Sequence, residues 1–430
     1  MSGLRSRLLT GTPGEGRSHE HRGVILIRAL LAFEAVLYSA VAPVLPHYQH
    51  TLSASKTAIG VLAAAYPAGM ILGALLGGWL AVRAGVRRTT VVGLLIFAVS
   101  ITLFGFASDI ASLDLLRFVQ GAACGCIWAG GLTWVIAIAP RERRGEVLGS
   151  VMAAAIFGTL FGPVVGTLAV AVGTEVVFTF VGAVSLALCA WTLEHPEPPR
   201  RERGTRAPRR ALLRSPRLLL GVWLILLEAG TVGATGTLLP LRLSRFGASG
   251  VAIGATFVVT ALLSTAATPL VGRVVDRRGA RAPVCIGLAL TGAMVAALAV
   301  PQSWPVLAIV SVFAIGGPLT AIMIPSTEVI TDAAERLGVA LAFATMMMNL
   351  GWATGETIGA PAAAKISEAT SDTVPFVATG LLMLLTVPLA LRAGLPHGRR
   401  SEIPAKPGQA PTHAAATDAS PALDSASIVG

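Results

Sequence analysis

Arg22 to Tyr48 reads RGVILIRALLAFEAVLYSAVAPVLPHY. The run is apolar and long enough to cross a bilayer, and Glu34 stands near its middle. If the membrane-embedded helix starts near Gly23, Glu34 lies about 16 Å along it, close to the centre of a hydrocarbon core roughly 30 Å thick. An acid at that depth is costly and normally faces a partner or a water-filled path. The other helices are therefore expected to be arranged around this carboxyl.

Composition agrees with a membrane fold. The chain has 430 residues, of which 54% are hydrophobic and only 13% charged, with a mean hydropathy of +0.74. A soluble domain carries about 25% charge. The apolar runs are near twenty residues, which predicts helices and not the ten-residue alternation of a membrane barrel. Twelve runs can be counted, at 23–46, 57–81, 90–108, 115–138, 147–171, 174–193, 218–240, 250–271, 283–301, 304–326, 338–362 and 374–392. They predict a first bundle over 23–193 and a second over 218–392. A Pro- and Arg-rich cytoplasmic linker at 194–217 joins them, with disordered cytoplasmic tails at 1–22 and 393–430.

The net charge of +11 does not point to nucleic acid, because the arginines lie between apolar runs and not on one face. With the N-terminus in the cytoplasm, 27 of the 33 Lys and Arg residues fall in inside segments, and Lys56, Arg242, Arg245 and Lys365 fall outside. That bias predicts cytoplasmic termini and an even number of spans. The expected location is the inner, cytoplasmic membrane of a bacterial cell. Cys124, Cys126, Cys189 and Cys285 sit within apolar runs without metal-ligand spacing and read as small packing residues. Neither a metal nor a cofactor is expected, and no nucleophile or phosphate-loop pattern suggests an enzyme.

The chain repeats itself. Glu34, Pro46, Gly78, Arg83, Gly85 and Arg87 recur 194 positions later as Glu228, Pro240, Gly272, Arg277, Gly279 and Arg281. Glu142, Arg143, Gly145, Gly158, Gly162 and Gly166 recur 193 positions later as Glu335, Arg336, Gly338, Gly351, Gly355 and Gly359. Two pseudo-symmetric six-helix bundles with a site at their interface make a transporter architecture.

Three motifs carry a family resemblance. Gly78-Trp79-Leu80-Ala81-Val82-Arg83-Ala84-Gly85-Val86-Arg87-Arg88 lies between the second and third runs, and Gly272-Arg273-Val274-Val275-Asp276-Arg277-Arg278-Gly279 is its second copy. Arg117-Phe118-Val119-Gln120-Gly121 opens the fourth run. Gly158-Thr159-Leu160-Phe161-Gly162-Pro163-Val164-Val165-Gly166 fills the fifth. Together they resemble the major facilitator superfamily, and within it the twelve-helix drug:proton antiporters. The resemblance implies a cytoplasmic gate at the first motif, although Val82 stands where the family has an acid. It also implies a proton-coupling role for Arg117 and a leak seal at Gly158, Gly162, Pro163 and Gly166. Physically, an arginine inside a span lowers the cost of ionising a nearby carboxylate. The other reading of Arg117 is an interfacial arginine that snorkels outward or pairs with Asp114. Glycines four apart admit a second helix closely, and Pro163 bends its own.

In span 11, Glu356 takes the place of Pro163 in Gly351-Trp352-Ala353-Thr354-Gly355-Glu356. Glu34, Glu228, Glu356 and Arg117 are thus the candidate proton-coupling residues. Glu228 has a structural alternative, a carboxyl bonded to nearby Thr or Ser. Glu34 stands nine residues before Pro43 of Pro43-Val44-Leu45-Pro46, a position where vesicular amine transporters and related multidrug exporters have an Asp. Glu34, Tyr38, Trp128, Asn349 and Trp352, with Met346 to Met348, are the candidate substrate contacts, since aromatic faces favour cations and flat hydrophobes. The expected function is proton-driven antiport of small amphipathic or cationic compounds by a monomer in the lipid bilayer, powered by the proton gradient. The alternative is a proton symporter or facilitator for a sugar, amino acid or other metabolite.

Overall fold

The computed structural model of the chain describes residues 13–139, 143–198, 215–337 and 341–392, with the backbone alone at 13–20, 144–146, 276, 341–343 and 345. All belong to the unit spanning 1–398. The expectations for the extreme tails, for most of the linker, for Glu142 and Gly338, and for the side chain of Asp276 lie outside the described residues.

Every described element is helical, as a hydrocarbon solvent requires of a chain that must satisfy its own backbone groups. In order these are α1 (Pro13–Ser39), α2 (Leu45–Thr51), α3 (Lys56–Ala84), α4 (Val86–Phe106), α5 (Ile110–Ile138), α6 (Arg144–Thr159), α7 (Gly162–Val172) and α8 (Thr174–Glu194). After the linker come α9 (Pro216–Arg245), α10 (Gly250–Arg278), α11 (Arg281–Ala297), α12 (Trp304–Gly316), α13 (Thr320–Arg336), α14 (Leu341–Ala369) and α15 (Val374–Arg392). Ten stretches are long and apolar enough to cross a membrane, and Arg281–Ala297 is a shorter apolar helix. The 29-residue α14 completes twelve passes.

Three of the predicted spans are broken, each next to proline. Pro43 and Pro46 separate α1 from α2 through a 3-10 turn at Ala42–Val44. Pro163 is the second residue of α7, where its missing N–H costs nothing, and the chain kinks between α6 and α7. Gly317 and Pro318 part α12 from α13. At the other extreme, α1 starts at Pro13, well before the apolar run begins.

The repeat is built into the helix ends. Ser55 caps α3 by accepting from the Ala58 N–H at 3.1 Å, and Ser249 caps α10 by accepting from Ala252 at 3.2 Å. The glycines of the two gate motifs, Gly85 and Gly279, both take positive φ, +97° and +76°, to turn the chain out of those helices.

Close helix approach also follows the glycines. A Cβ on Gly158, Gly162 or Gly166 would lie 2.3, 1.9 and 2.0 Å from Ala32 O, Ser39 Oγ and Ala40 O, so α6 and α7 press directly on α1. In the second half, Gly355 and Gly359 meet Leu226 O at 2.3 Å and Gly230 O at 2.2 Å in α9. Gly78 and Gly272 make no such approach. Nothing lies within 4 Å of a Cβ at either. In α3 the close approach is made earlier, by Gly69, Gly73 and Gly77 against α5.

The two halves meet from the centre of the bundle toward the end that carries Lys56. There a Cβ on Gly60 would lie 2.6 Å from Ala364 Cβ, and one on Gly254 would lie 2.1 Å from Thr167 Oγ1.

Candidate functional site

The centre of the bundle is built from one face each of α1, α5 and α14. Glu34 and Tyr38 are four residues apart on α1, and Trp352 and Glu356 are four apart on α14, so each pair projects from one side of its helix. On α5, Cys124 and Trp128 are likewise one turn apart, and Arg117 stands two turns before Cys124.

Glu34 is 3% exposed. Its Oε2 accepts a hydrogen bond from Trp128 Nε1 at 2.8 Å, while its Oε1 is buried without a partner. Cys124 lies beside the same carboxyl. Arg117 is also buried and neither snorkels nor pairs with Asp114. Its Nη1 donates to Gln120 Oε1 at 3.0 Å and its Nη2 to the Tyr38 carbonyl at 3.3 Å. The guanidinium stacks on the Tyr66 ring, 4.2 Å from its centroid. It therefore sits against the helix that bears Glu34, with Nε left unpartnered.

The third group crosses between the halves. The Tyr38 hydroxyl donates to Glu356 Oε1, and Trp352 Nε1 donates to the Tyr38 oxygen at 3.4 Å. Glu356 Oε2 is buried and free, as Glu34 Oε1 is. Two carboxyls from opposite halves thus share aromatic neighbours and Arg117, each with one buried oxygen that has no hydrogen-bond partner.

Glu228 is 2% exposed, and none of the described contacts joins it to this set. The hydroxyls expected to satisfy it go elsewhere, Thr231 to Leu227 O and Thr235 to Thr231 O, and Glu228 Oε2 has no partner. Asn349 is half-buried, with no described bond to the acids. Met348 packs with Trp352 against Ile225 and Ile330, and Met346 is exposed.

Of the gate residues, Arg83 stacks on Trp79 at 4.4 Å and Arg277 is exposed. Arg87 donates to His195 O at 3.0 Å and lies 3.7 Å from Glu197, whose Oε1 also accepts from the Arg87 N–H at 3.3 Å. Val82 is exposed, and the acid at this turn is Glu197, from the start of the linker. Among the described residues, no group of three or more His, Cys, Asp or Glu could hold a metal.

Two residues of the centre went unread as site residues. Tyr66 was visible only as one of three tyrosines in the chain. Cys124 read as packing because a buried thiol carries no signal until its neighbour is known.

The sequence matches the description "Major Facilitator Superfamily" over residues 29–356. The chain belongs to the major facilitator superfamily. Membership places it among transporters and not enzymes. It is 30% identical over 178 residues to "Multidrug resistance protein 1" of Bacillus subtilis (strain 168), covering 40% of this chain and 45% of the relative. It is 28% identical over 146 residues to "Quinolone resistance protein NorA" of Staphylococcus aureus (strain N315), covering 34% and 38%. The match thus spans less than half the length of these curated relatives. Among solved structures, a bacterial homolog of the human lysosomal transporter Spinster, inward-facing and unoccupied, aligns with a TM-score of 0.69 over 89% of this chain and 98% of that one, at 14% identity. The nucleoside transporter NupG aligns with a TM-score of 0.69 over 86% and 98%, at 13% identity. At such identities the likeness shows the superfamily fold alone.

Proposed function

We propose that the chain is a proton-coupled antiporter that exports small amphipathic or cationic compounds by alternating access. The observation that carries this reading is the pair of buried carboxyls, Glu34 and Glu356, on opposite halves, each with a free oxygen and sharing the surroundings of Tyr38 and Arg117. A free carboxyl oxygen in a dry site takes either a proton or a cationic group, and the two compete for it. Trp128, Trp352 and Tyr38 offer aromatic faces to an organic cation beside those oxygens. The similarity to proteins named for multidrug and quinolone resistance supports the same substrate class. The basic residues concentrated in one set of loops support cytoplasmic termini.

In the proposed cycle, substrate enters from the cytoplasm and binds near the deprotonated acids. The halves rock, protons neutralise the acids from the far side, and the substrate leaves. The protons are released to the cytoplasm on return. Because the acids are buried in this conformation, substrate can reach them only when the halves move apart.

The test uses purified protein in proteoliposomes, with an ethidium-like dye and an imposed pH gradient. Glu34→Gln is expected to abolish pH-driven dye transport while inserting and purifying as wild type does. Unchanged transport by Glu34→Gln would sink the proton-coupling role. Proton-driven uptake of a labelled sugar or amino acid, with no dye movement, would replace export with symport.

A further inference from the structure

One short connection closes the end of the bundle remote from the start of α1. Glu368 stands in the last turn of α14, and Asp372 stands in the loop before α15. Glu368 Oε2 accepts from the Thr57 N–H at 3.0 Å and from the Thr57 hydroxyl at 2.6 Å. Asp372 Oδ1 is paired with Lys56 Nζ and accepts from the Ser367 hydroxyl at 2.7 Å. Its Oδ2 takes Arg245 Nη1 at 2.8 Å.

Lys56 and Thr57 belong to the first half and open α3, where unpaired N–H groups and the positive end of the helix dipole favour carboxylates. Both acids come from the second half. Below them Gly60 packs against Ala360, Pro361 and Ala364. The Asp372 side chain is only 14% exposed, so solvent and salt screen its pair with Lys56 less than a surface ion pair.

We propose that Glu368 and Asp372 form a two-carboxylate latch on the first turn of α3, which holds the halves closed at this end and must release whenever this end opens. Its meaning for transport rests on the alternating-access reading above, but its contacts do not. The groups facing Asp372 are Lys56 of α3, Arg245 and Arg242 of α9 and Ser367 of α14. Arg242 is committed to the carbonyls of Leu298, Ala299 and Pro301 at 2.6, 3.1 and 3.0 Å, which leaves Lys56 and Arg245 to hold the carboxylate. A cavity of about 560 Å³ lies beside the latch, lined by His50, Lys56, Arg245 and Asp372 among others, so water has room to take over the ion pairs when the latch parts. Burial works against ionisation of Asp372, yet the bonds from Lys56, Ser367 and Arg245 outweigh it and hold its carboxyl below the ordinary range.

The test is a distance measurement. Spin labels are placed at Thr51→Cys and Ser371→Cys, one on each half, in the full-length protein with its four native cysteines replaced and reconstituted in lipid nanodiscs. A single short separation is expected without further change. Asp372→Asn should raise the population at longer separation roughly tenfold, the equivalent of about 1.4 kcal/mol of inter-half coupling. Lys56→Gln should do the same, and the double variant should go no further than either alone. Arg245→Gln, which leaves the inter-half pair in place, should move the population less. An unchanged distribution in Asp372→Asn, or fully additive effects of Asp372→Asn and Lys56→Gln, would overturn the latch. Melting temperatures of the variants are compared, because a shift seen only in a variant that melts far below wild type would be a folding defect and would also count against it. If the variants show the shift while the native-sequence protein carries no dye in the efflux assay, the latch stands and the antiport reading falls.

Discussion

Tyr38 is the residue on which the centre turns. Its carbonyl accepts from Arg117, its hydroxyl donates to Glu356, and Trp352 donates to its oxygen. One residue therefore ties the arginine of the first half, through its backbone carbonyl, to the carboxyl of the second, through its hydroxyl. Tyr38→Phe removes the hydroxyl and leaves Glu356 Oε1 buried without its donor, a loss of about 1–3 kcal/mol. At roughly 2–4 °C per kcal/mol, the melting temperature should fall by several degrees. Glu356→Gln should cost less in the Tyr38→Phe background than in wild type, because the shared bond is already gone. Thermal unfolding of the four members of that cycle checks it, and strict additivity would mean that the bond carries no energy. The acids themselves were legible in the sequence, since a carboxyl in the middle of an apolar run announces itself. Which of them meet was not. Glu34 and Glu228 are equivalent in the repeat, yet it is Glu356 that joins Tyr38, because contacts between helices depend on rotation and crossing that a single sequence does not display.

At the scale of elements, the repeat predicts more symmetry than the packing shows. In the first half Gly158, Gly162 and Gly166 press on Ala32, Val36 and Ala40. Carried over by the repeat, Gly355 would meet Gly230, and Gly359 would meet Ala234. Instead Gly355 lies on Leu226 and Gly359 on Gly230, so α14 sits one helical turn out of register on α9. Identities fix how positions correspond along the chain, but the sliding of one helix on another is decided by side-chain packing, which identities leave free. The helices differ in one respect that was readable: Pro163 breaks α6 from α7, whereas Glu356 leaves α14 continuous. The shifted register makes a prediction that the sequence alone would get wrong. Gly158→Ala would bring a Cβ to 2.3 Å from a backbone oxygen and should lower the melting temperature, at a cost of about 1–3 kcal/mol. Its sequence equivalent Gly351→Ala would meet nothing nearer than 3.4 Å and should be neutral or slightly stabilising, by relieving the cost of a helical glycine. Gly355→Ala, at 2.3 Å from Leu226 O, should behave like Gly158→Ala. Equal losses at Gly158 and Gly351 in a detergent melting assay would show that the register is symmetric after all.

For the whole molecule, two of the described inter-half connections lie at different depths: the Tyr38–Glu356 bond at the centre and the Glu368–Asp372 latch at the remote end. They should answer to different signals. The Asp372 carboxyl is held below the ordinary aspartate value of about 3.9, so its pairing is complete above that pH and is lost only as pH falls through its lowered value. Moderate acid therefore does not neutralise the latch carboxylate. Glu356→Gln tests the centre: where the acid is ionised, it replaces a charge-assisted bond from Tyr38 with a neutral one roughly half as strong, and so loosens the central connection. With spin labels at Thr51→Cys and Ser371→Cys, Glu356→Gln should move population toward longer separation at pH 7.5. Adding Asp372→Asn to Glu356→Gln should open it further, since the two connections are lost independently. At pH 5.5 the effect of Asp372→Asn on that same variant should persist, because the latch carboxylate stays ionised there. If Asp372→Asn has no further effect on the Glu356→Gln variant at pH 5.5, the latch carboxylate is already neutral there and acidity acts on it directly. If Glu356→Gln leaves the separation where wild type has it, the central bond does not help to hold the far end, and the latch holds it without help from the centre.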